Sequence, residues 1–421
     1  LSYWTFDSLD RYTRSRTLLT IKQGSAIVTS KTKRAIFILI FSEFLVCLGI
    51  SLVIPVMPFI KNELHLTATD MGIMTSLFAL AQFVASPIIG RLSDRIGRKP
   101  VLVVGLFLYM LSEILFAITN QLLMFNISRI VGGLSAAMVV PTAMAMAADI
   151  TTKRQRAKVI GWLSAAFSGG LILGPGIGGI LAKIDYKAPF WIAGLMGLLS
   201  TIALATLLPQ EDELGHNDGG PVRAEIEAPT KLIHFLTKPV VILFTMILVS
   251  SFGLQGFESI YSIYVNEVFN FSLDNIALVL TLNGIISLLL QVLLFDHLVV
   301  WFKETKVIRY CFFLSFAGTI WIVLAHSKWE VIVATLIVFS AFDLLRPAIT
   351  TMLTKISTQN QGLINGLNMS LTSVGNVIGP IMSGALLDMN YHYPYVVVTI
   401  FLIISFGMTY LIKDRTSIKV V

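Results

Sequence analysis

Twelve apolar runs, each long enough to cross a hydrocarbon layer about 30 Å thick, follow one another along this 421-residue chain. They fall at about 35–59, 68–90, 99–119, 122–147, 157–182, 188–209, 239–265, 275–300, 306–325, 329–352, 361–388 and 393–413. A backbone inside lipid must satisfy its own hydrogen bonds, and runs of this length do so as helices. The chain is therefore expected to be an all-α membrane protein. Only 13% of its residues are charged, against about 25% in soluble domains. Cys47 and Cys311 lie inside apolar runs and the six histidines are scattered, so neither a disulfide framework nor a metal site is expected.

Most connections are a few residues long. The exception, 210–238, contains QEDELGHNDGG and divides the chain into six spans over 35–209 and six over 239–413. Of the 31 Lys and Arg residues, 25 lie on the side shared with both termini and four on the other, while Arg129 and Arg346 are inside apolar runs. That bias predicts cytoplasmic termini. It also makes the net charge of +7 a matter of topology, so no nucleic-acid partner is expected. Residues 1–30 lack the apolar core of a signal peptide. The stretch 1–34 is read as a disordered cytoplasmic extension and 414–421 as a cytoplasmic tail. The first residue is Leu1 and the first methionine Met57. A non-AUG start and an over-extended start with the native beginning at Val28 both fit, and the second is the favoured expectation.

An internal repeat supports the six-plus-six division. A shift of 205 residues superposes Gly161, Gly170, Gly174, Pro175 and Gly179 on Gly366, Gly375, Gly379, Pro380 and Gly384. Pro141 and Pro347 match at a shift of 206. Two parallel six-helix repeats are the major facilitator architecture. The loop GRLSDRIGRK carries Gly90, Asp94, Arg95, Gly97 and Arg98. It resembles the signature G-x-x-x-D-R-x-G-R-[RK] of the major facilitator superfamily at every fixed position. A plain basic loop would explain its arginines but not its acid and glycines. Asp149 is a candidate partner for one of these arginines, and Gly90 is expected to let helices approach. In the fifth span, GGLILGPGIGG by itself says only that the helix is kinked and tightly packed. Through Gly170, Gly174, Pro175, Gly178 and Gly179 it also resembles the antiporter signature of drug:proton antiporters.

Six charges fall inside the apolar spans: Glu43, Glu113, Arg129, Glu258, Asp343 and Arg346. Each costs about 2.5–3.5 kcal/mol to insert if charged at the helix centre, so such groups face a cavity or one another. Spans one, four, seven and ten line the central cavity in the major facilitator architecture, and five of the six lie there. Glu113, in the third span, is expected to be a structural contact. A carboxyl group in a low-dielectric cavity can load and release a proton. Asp343 and Arg346 stand one helical turn apart in FDLLRPAIT. Both a proton-linked acid tuned by its arginine and a static bridge fit that spacing. Glu258 has no opposite charge in its own turn and is the clearer proton carrier. Phe44, Phe257, Tyr261 and Phe342 lie near these acids, and aromatic walls with an acid suit amphipathic cations.

From about residue 34 onward the chain resembles the twelve-span drug:proton antiporter branch of the superfamily. LGISLVIPVMP, SRIVGG, SFGLQGFESIYSIY, FDLLRPAIT and GNVIGPIMSGALLD carry that resemblance. It implies a proton-coupled exporter of fluoroquinolones, cationic dyes and quaternary ammonium biocides, not an enzyme, with no cofactor beyond the proton gradient. It assigns proton coupling to Glu258, Asp343 and Arg129. Phe44, Gln82, Arg346 and Asn376 match cavity positions, and gating is assigned to the loop and fifth-span motifs. Glu43 departs from the branch, where an apolar residue is usual, and is read as an added cavity acid. The expected setting is a bacterial plasma membrane, with the chain monomeric. A proton-coupled transporter of a sugar or amino acid is the competing expectation. Protons, small molecules and lipid are the expected partners.

Overall fold

The computed structural model describes residues 30–208, 237–356 and 361–412. The predicted linker and both predicted tails lie largely outside them. The first span is Ser30–Leu52, continued through a 3-10 turn at Ile54–Val56 into Met57–Glu63. Ala68–Ile96, Arg98–Ile118, Leu122–Asp149, Lys153–Ala182 and Ala188–Leu207 are spans two to six. Lys238–Phe269 is the seventh, and Lys328–Ile356, Gln361–Met389 and Tyr393–Met408 are the tenth to twelfth. Between them Leu273–Leu324 forms one helical stretch of 52 residues. At 1.5 Å per residue it is about 78 Å long, more than twice a hydrocarbon layer, so it is two spans, the eighth and ninth. They meet at Lys303, whose φ of 63° and ψ of 155° break the helix.

Two expectations are corrected here. Residues 30–34 are helical rather than a disordered extension, because Lys and Arg are good helix formers and carry the first span past its apolar run. The connection expected at 301–305 is reduced to the single non-helical residue Lys303.

Residues 30 and 412 lie on the same side of an even number of spans. We call that side the terminal face and the other the distal face. The repeat seen in the sequence governs the distal turns. His65 (φ 52°) and Asn270 (φ 51°), 205 residues apart, are both left-handed. Thr67 and Ser272, again 205 apart, cap the helices that follow by accepting from the backbone of Asp70 and Asn275. Side-chain oxygens at this position satisfy amides that the helix cannot.

The two halves meet chiefly through the second span against the eleventh and the fifth against the eighth. These seams are related by the same shift. Gly384 packs on Ala68 and Thr69, and Gly179 on Ala277 and Leu273. Ser76 donates to the carbonyl of Val377 (2.6 Å) on one seam; on the other, Gly284 lies against Ile172 and Gly176 against Thr281. Side chains on these glycines would collide with the facing helix; a Cβ on Gly179 would fall 2.5 Å from that of Ala277. The apolar core of the second half runs into the distal part of the first at Val53, Val56, Ile60, Met71 and Met74.

On the terminal face the glycines behave differently. Gly90, Gly161 and Gly366 have nothing within 4 Å of the position of a Cβ. The close approach expected at Gly90 is absent in this conformation, because the halves diverge towards the terminal face. Outward, the sixth span presents Trp191, Leu195, Leu199 and Ile202 as an exposed apolar stripe, the surface that lipid covers.

Candidate functional site

Glu258 and Asp343 come from neighbouring helices, the seventh and the tenth, and Glu258 lies within reach of the Asp343 charge. The side-chain amide of Gln255, one turn earlier, donates to Glu258 Oε2 at 3.1 Å. Ser287, on the eighth span, lies near Asp343. Both acids keep accessible surface although protein surrounds them. That combination marks the wall of a cleft rather than a lipid face or a sealed core. Arg346 is exposed on the same helix as Asp343, towards the terminal face. No ion pair joins Asp343 to Arg346 among the described residues, so the static bridge allowed by the spacing is not formed here. Phe44, Gln82 and Asn376 are half-buried, on the first, second and eleventh spans.

The aromatic residues expected on the cavity wall are placed differently. Phe257 and Tyr261 have no exposed surface and Phe342 almost none. Phe257 stacks with Tyr261 and meets Phe339, Phe342 and Tyr395 edge-on or tilted. They form a packed wall behind Glu258, not its open surface. A helix carrying aromatic groups at i and i+4 turns them to one face, and here that face is inside the second half.

Arg129 and Glu43 are also away from the cleft. Spans three and four are joined by reciprocal hydrogen bonds: Ser112 Oγ to the Ser128 carbonyl and Ser128 Oγ to the Ser112 carbonyl, each 2.9 Å. That register brings Arg129 Nη2 to 3.7 Å from Glu113 Oε1 and its guanidinium over the ring of Phe116. The arginine expected to serve the cleft acids instead answers the glutamate expected to be structural. Glu43 has no accessible surface, and neither carboxyl oxygen has a hydrogen-bond partner among the described residues. It lies inside the first half and does not line the cleft as expected.

The loop motif is organised by Arg98. Its guanidinium contacts Asp94 (2.6 Å), Asp149 (3.3 Å) and Ser93 Oγ (2.6 Å), so Asp149 has the partner its position suggested. Arg95 is exposed. Gly97, with φ 94°, makes the turn between spans two and three in a region that other residues avoid. In the fifth span Gly170, Gly174 and Gly178 face the first span, at Phe44, Ser51 and Leu52. Gly179 instead faces the eighth span of the other half, and Pro175 lies inside the helix between these contacts. One motif thus packs a half internally and also forms its seam.

Twelve spans in two repeated halves, joined by two related seams, are the architecture of a membrane transporter rather than an enzyme. The chain belongs to the Major Facilitator Superfamily, whose model matches residues 39–326 and 259–421 in overlapping segments. It is 42% identical over 383 residues to Multidrug resistance protein 1 of Bacillus subtilis, covering 91% of this chain and 97% of that protein. It is 38% identical over 363 residues to Quinolone resistance protein NorA of Staphylococcus aureus, covering 86% and 92%. A bacterial homologue of the human lysosomal transporter Spinster, solved inward-facing and occupied, superposes with a TM-score of 0.74 at 16% identity, over 91% of this chain and 97% of that one.

Proposed function

We propose that this chain is a proton-driven exporter of structurally varied amphipathic drugs, working by alternating access. The observation that carries the reading is the proximity of two acids, Glu258 and Asp343, that keep accessible surface on neighbouring helices inside the membrane-spanning bundle. The names of its relatives, a multidrug resistance protein and a quinolone resistance protein, support drugs as the substrate class; within it we include fluoroquinolones, cationic dyes such as ethidium, and quaternary ammonium biocides. The lysine and arginine bias supports a cytoplasmic terminal face, and the bacterial relatives support a bacterial plasma membrane. The structure is then the cytoplasm-facing state, in which the acids receive drug. The chain works as a monomer.

In this cycle a cationic drug enters from the cytoplasm and is held by the negative carboxylates. The halves rock, the distal seam parts and the terminal face closes. Protons from outside load Glu258 and Asp343, neutralise the site and displace the drug. Return to the present state delivers those protons to the cytoplasm. The electrochemical gradient supplies the work, and no cofactor takes part.

Everted membrane vesicles holding the protein and given ethidium test this directly. Uptake should follow an imposed proton gradient and stop when a protonophore collapses it. Glu258→Gln with Asp343→Asn should abolish gradient-driven uptake. Dye movement that survives either treatment refutes proton antiport. A sugar or amino acid that drives proton movement while every drug is inert would establish a metabolite transporter instead.

A further inference from the structure

Glu258 is held by a side chain that is itself braced by a neighbouring helix. Gln255 Nε2 donates to Glu258 Oε2 at 3.1 Å, one turn away on the seventh span. Residues three apart share a helix face, so the amide lies alongside the carboxyl. At the root of this side chain the seventh and eleventh spans come into backbone contact. A Cβ on Gly379 would lie 2.9 Å from the Gly256 backbone nitrogen and 3.3 Å from Gln255 Cβ. The missing side chain thus makes room for the stem of Gln255 and walls it on one side. The next residue, Pro380, turns its carbonyl to the second span, where a Cβ on Gly72 would strike it. Within two consecutive residues the eleventh span touches Gln255 and the other half of the molecule. Other helices packed on the seventh offer Glu258 less. The tenth brings Asp343 and Arg346 and the twelfth Tyr393 and Tyr395, while the ionisable groups of the second and eleventh, Asp70 and Asp388 among them, stand at the helix ends. Gln255 is the one hydrogen-bond partner of the Glu258 carboxyl among the described residues.

We propose that Gln255 is a positioning residue for Glu258: its amide keeps the carboxyl in place in both protonation states, and Gly379 keeps the amide in place. An ionised carboxylate only accepts hydrogen bonds, whereas a protonated one also donates. A side-chain amide carries both N–H donors and a carbonyl acceptor. Its terminal torsion is broad and roughly two-fold, so a half-turn exchanges one end for the other while the stem stays against Gly379. Glu258 therefore takes up and releases its proton without leaving its seat and without losing its partner, a loss that would oppose one state or the other. Because the same stretch of the eleventh span also meets Gly72, the seating of this acid depends on the seam between the second and eleventh spans.

The inference rests on the reading that Glu258 exchanges protons, and the two fail differently. Gln255→Met keeps the length of the stem and the helix propensity but has no amide. In the vesicle assay with ethidium it should lower Vmax about tenfold, the worth of one hydrogen bond to a charged group, with KM moved less than about twofold. Infrared difference spectra of the purified protein on acidification give the second readout. The carbonyl band of protonated Glu258, identified by its loss in Glu258→Gln, should move to higher frequency in Gln255→Met, because a hydrogen bond lowers that frequency. Gln255→Asn, which keeps the amide on a shorter stem, should fall between Gln255→Met and the parent on both readouts. Wild-type Vmax in Gln255→Met overturns the inference. So does a lowered Vmax with the band unmoved, which would make Gln255 a packing contact, or a rise in KM alone, which would make it a drug contact. If Glu258→Gln itself exports ethidium at the wild-type rate, the proton reading has failed. If Glu258→Gln is inactive and Gln255→Met behaves as the parent, only the present inference has.

Discussion

Asp388, at the distal end of the eleventh span, accepts a 2.8 Å hydrogen bond from the backbone amide of Thr69, in the first turn of the second span, 319 residues away. It also accepts from the amide of Ala68 at 2.8 Å. A helix N-terminus has free amides that a carboxylate suits, and here the cap is supplied by the other half. The cap exists only while the distal seam is closed. Under the 205-residue shift the pair becomes Lys183 and Asp274, which form an ion pair at 2.7 Å. The same two positions meet on both seams, with the acid moved to the other partner.

Removing that cap should favour distal opening. Losing a capping oxygen costs about 1 kcal/mol, or about fivefold in the closed-to-open ratio. A cysteine at Ser76, deep in the seam, gives the readout, since Cys47 and Cys311 are both buried. Asp388→Ala should raise its labelling by an impermeant maleimide applied from the distal side. Unchanged labelling would mean the cap adds nothing to closure.

Lys61 and Glu267 pair across the halves at the same face, both largely buried. Their two-fold counterparts are Asn266 and Asn62, which meet each other, so the charged pair stands on one side of the axis only. Lys61→Glu should open the face by like-charge repulsion, and Lys61→Glu with Glu267→Lys should reverse most of the effect. A double-mutant cycle on labelling at Ser76→Cys should return a coupling of about 1 kcal/mol. No coupling would reduce the pair to a surface contact.

Gly161 and Gly366 occupy equivalent places on the terminal face and touch nothing in this state. Their counterparts in function, Gly179 and Gly384, are packed in the distal seam. Val at 161 or 366 should leave folding and ethidium binding intact but slow turnover, because the terminal face then closes on a side chain. Overpacking of this kind costs about 1–3 kcal/mol, or about 5- to 150-fold in the population of the closed state. Fluorescence titration should report an unchanged dissociation constant beside a reduced Vmax; wild-type Vmax in both variants would count against closure at these glycines.

Lys303 occupies the position that Gly97 holds in the first half, at a shift of 206. Its φ of 63° with ψ of 155° lies in a region that is essentially reserved for glycine and costs about 1–3 kcal/mol for other residues. Lys303→Gly should therefore raise the thermal unfolding midpoint in detergent. A lower midpoint would show that the lysine side chain contributes more than its backbone strain removes.

Glu113 and Arg129 stabilise the first half as a pair. Arg129→Met alone leaves a buried carboxylate without its partner, a loss of about 3–5 kcal/mol. Adding Glu113→Gln should recover most of it, since replacing both members of a buried pair is nearly neutral. Thermal unfolding of the single and double variants measures this. If the double variant is stable yet fails to export, Arg129 has a coupling role besides its structural one.

Much of this architecture could be read from the chain. Lipid leaves the backbone no alternative to helices, so apolar length alone marked twelve spans. Duplicated glycines and prolines marked the two halves, because a helix that must lie against a neighbour cannot carry a side chain there. Asp94 and Asp149 were placed near the basic loop for a similarly local reason. Gln255 was also within reach, one turn from Glu258. The facing of charges was not legible. Helical spacing says which residues share a face but not which helix that face meets. Arg129 and Glu43 therefore looked like cleft residues, until the packing of spans three and four, and of the first span inside its half, turned them inward. Asp388 lies far in sequence from the amides of Ala68 and Thr69 that it caps, and nothing local marks it. Sequence determined the spans and their two-fold repeat through short-range backbone and steric demands. The tertiary structure decided which charges meet and which face is closed, because both depend on how rigid helices are rotated against one another.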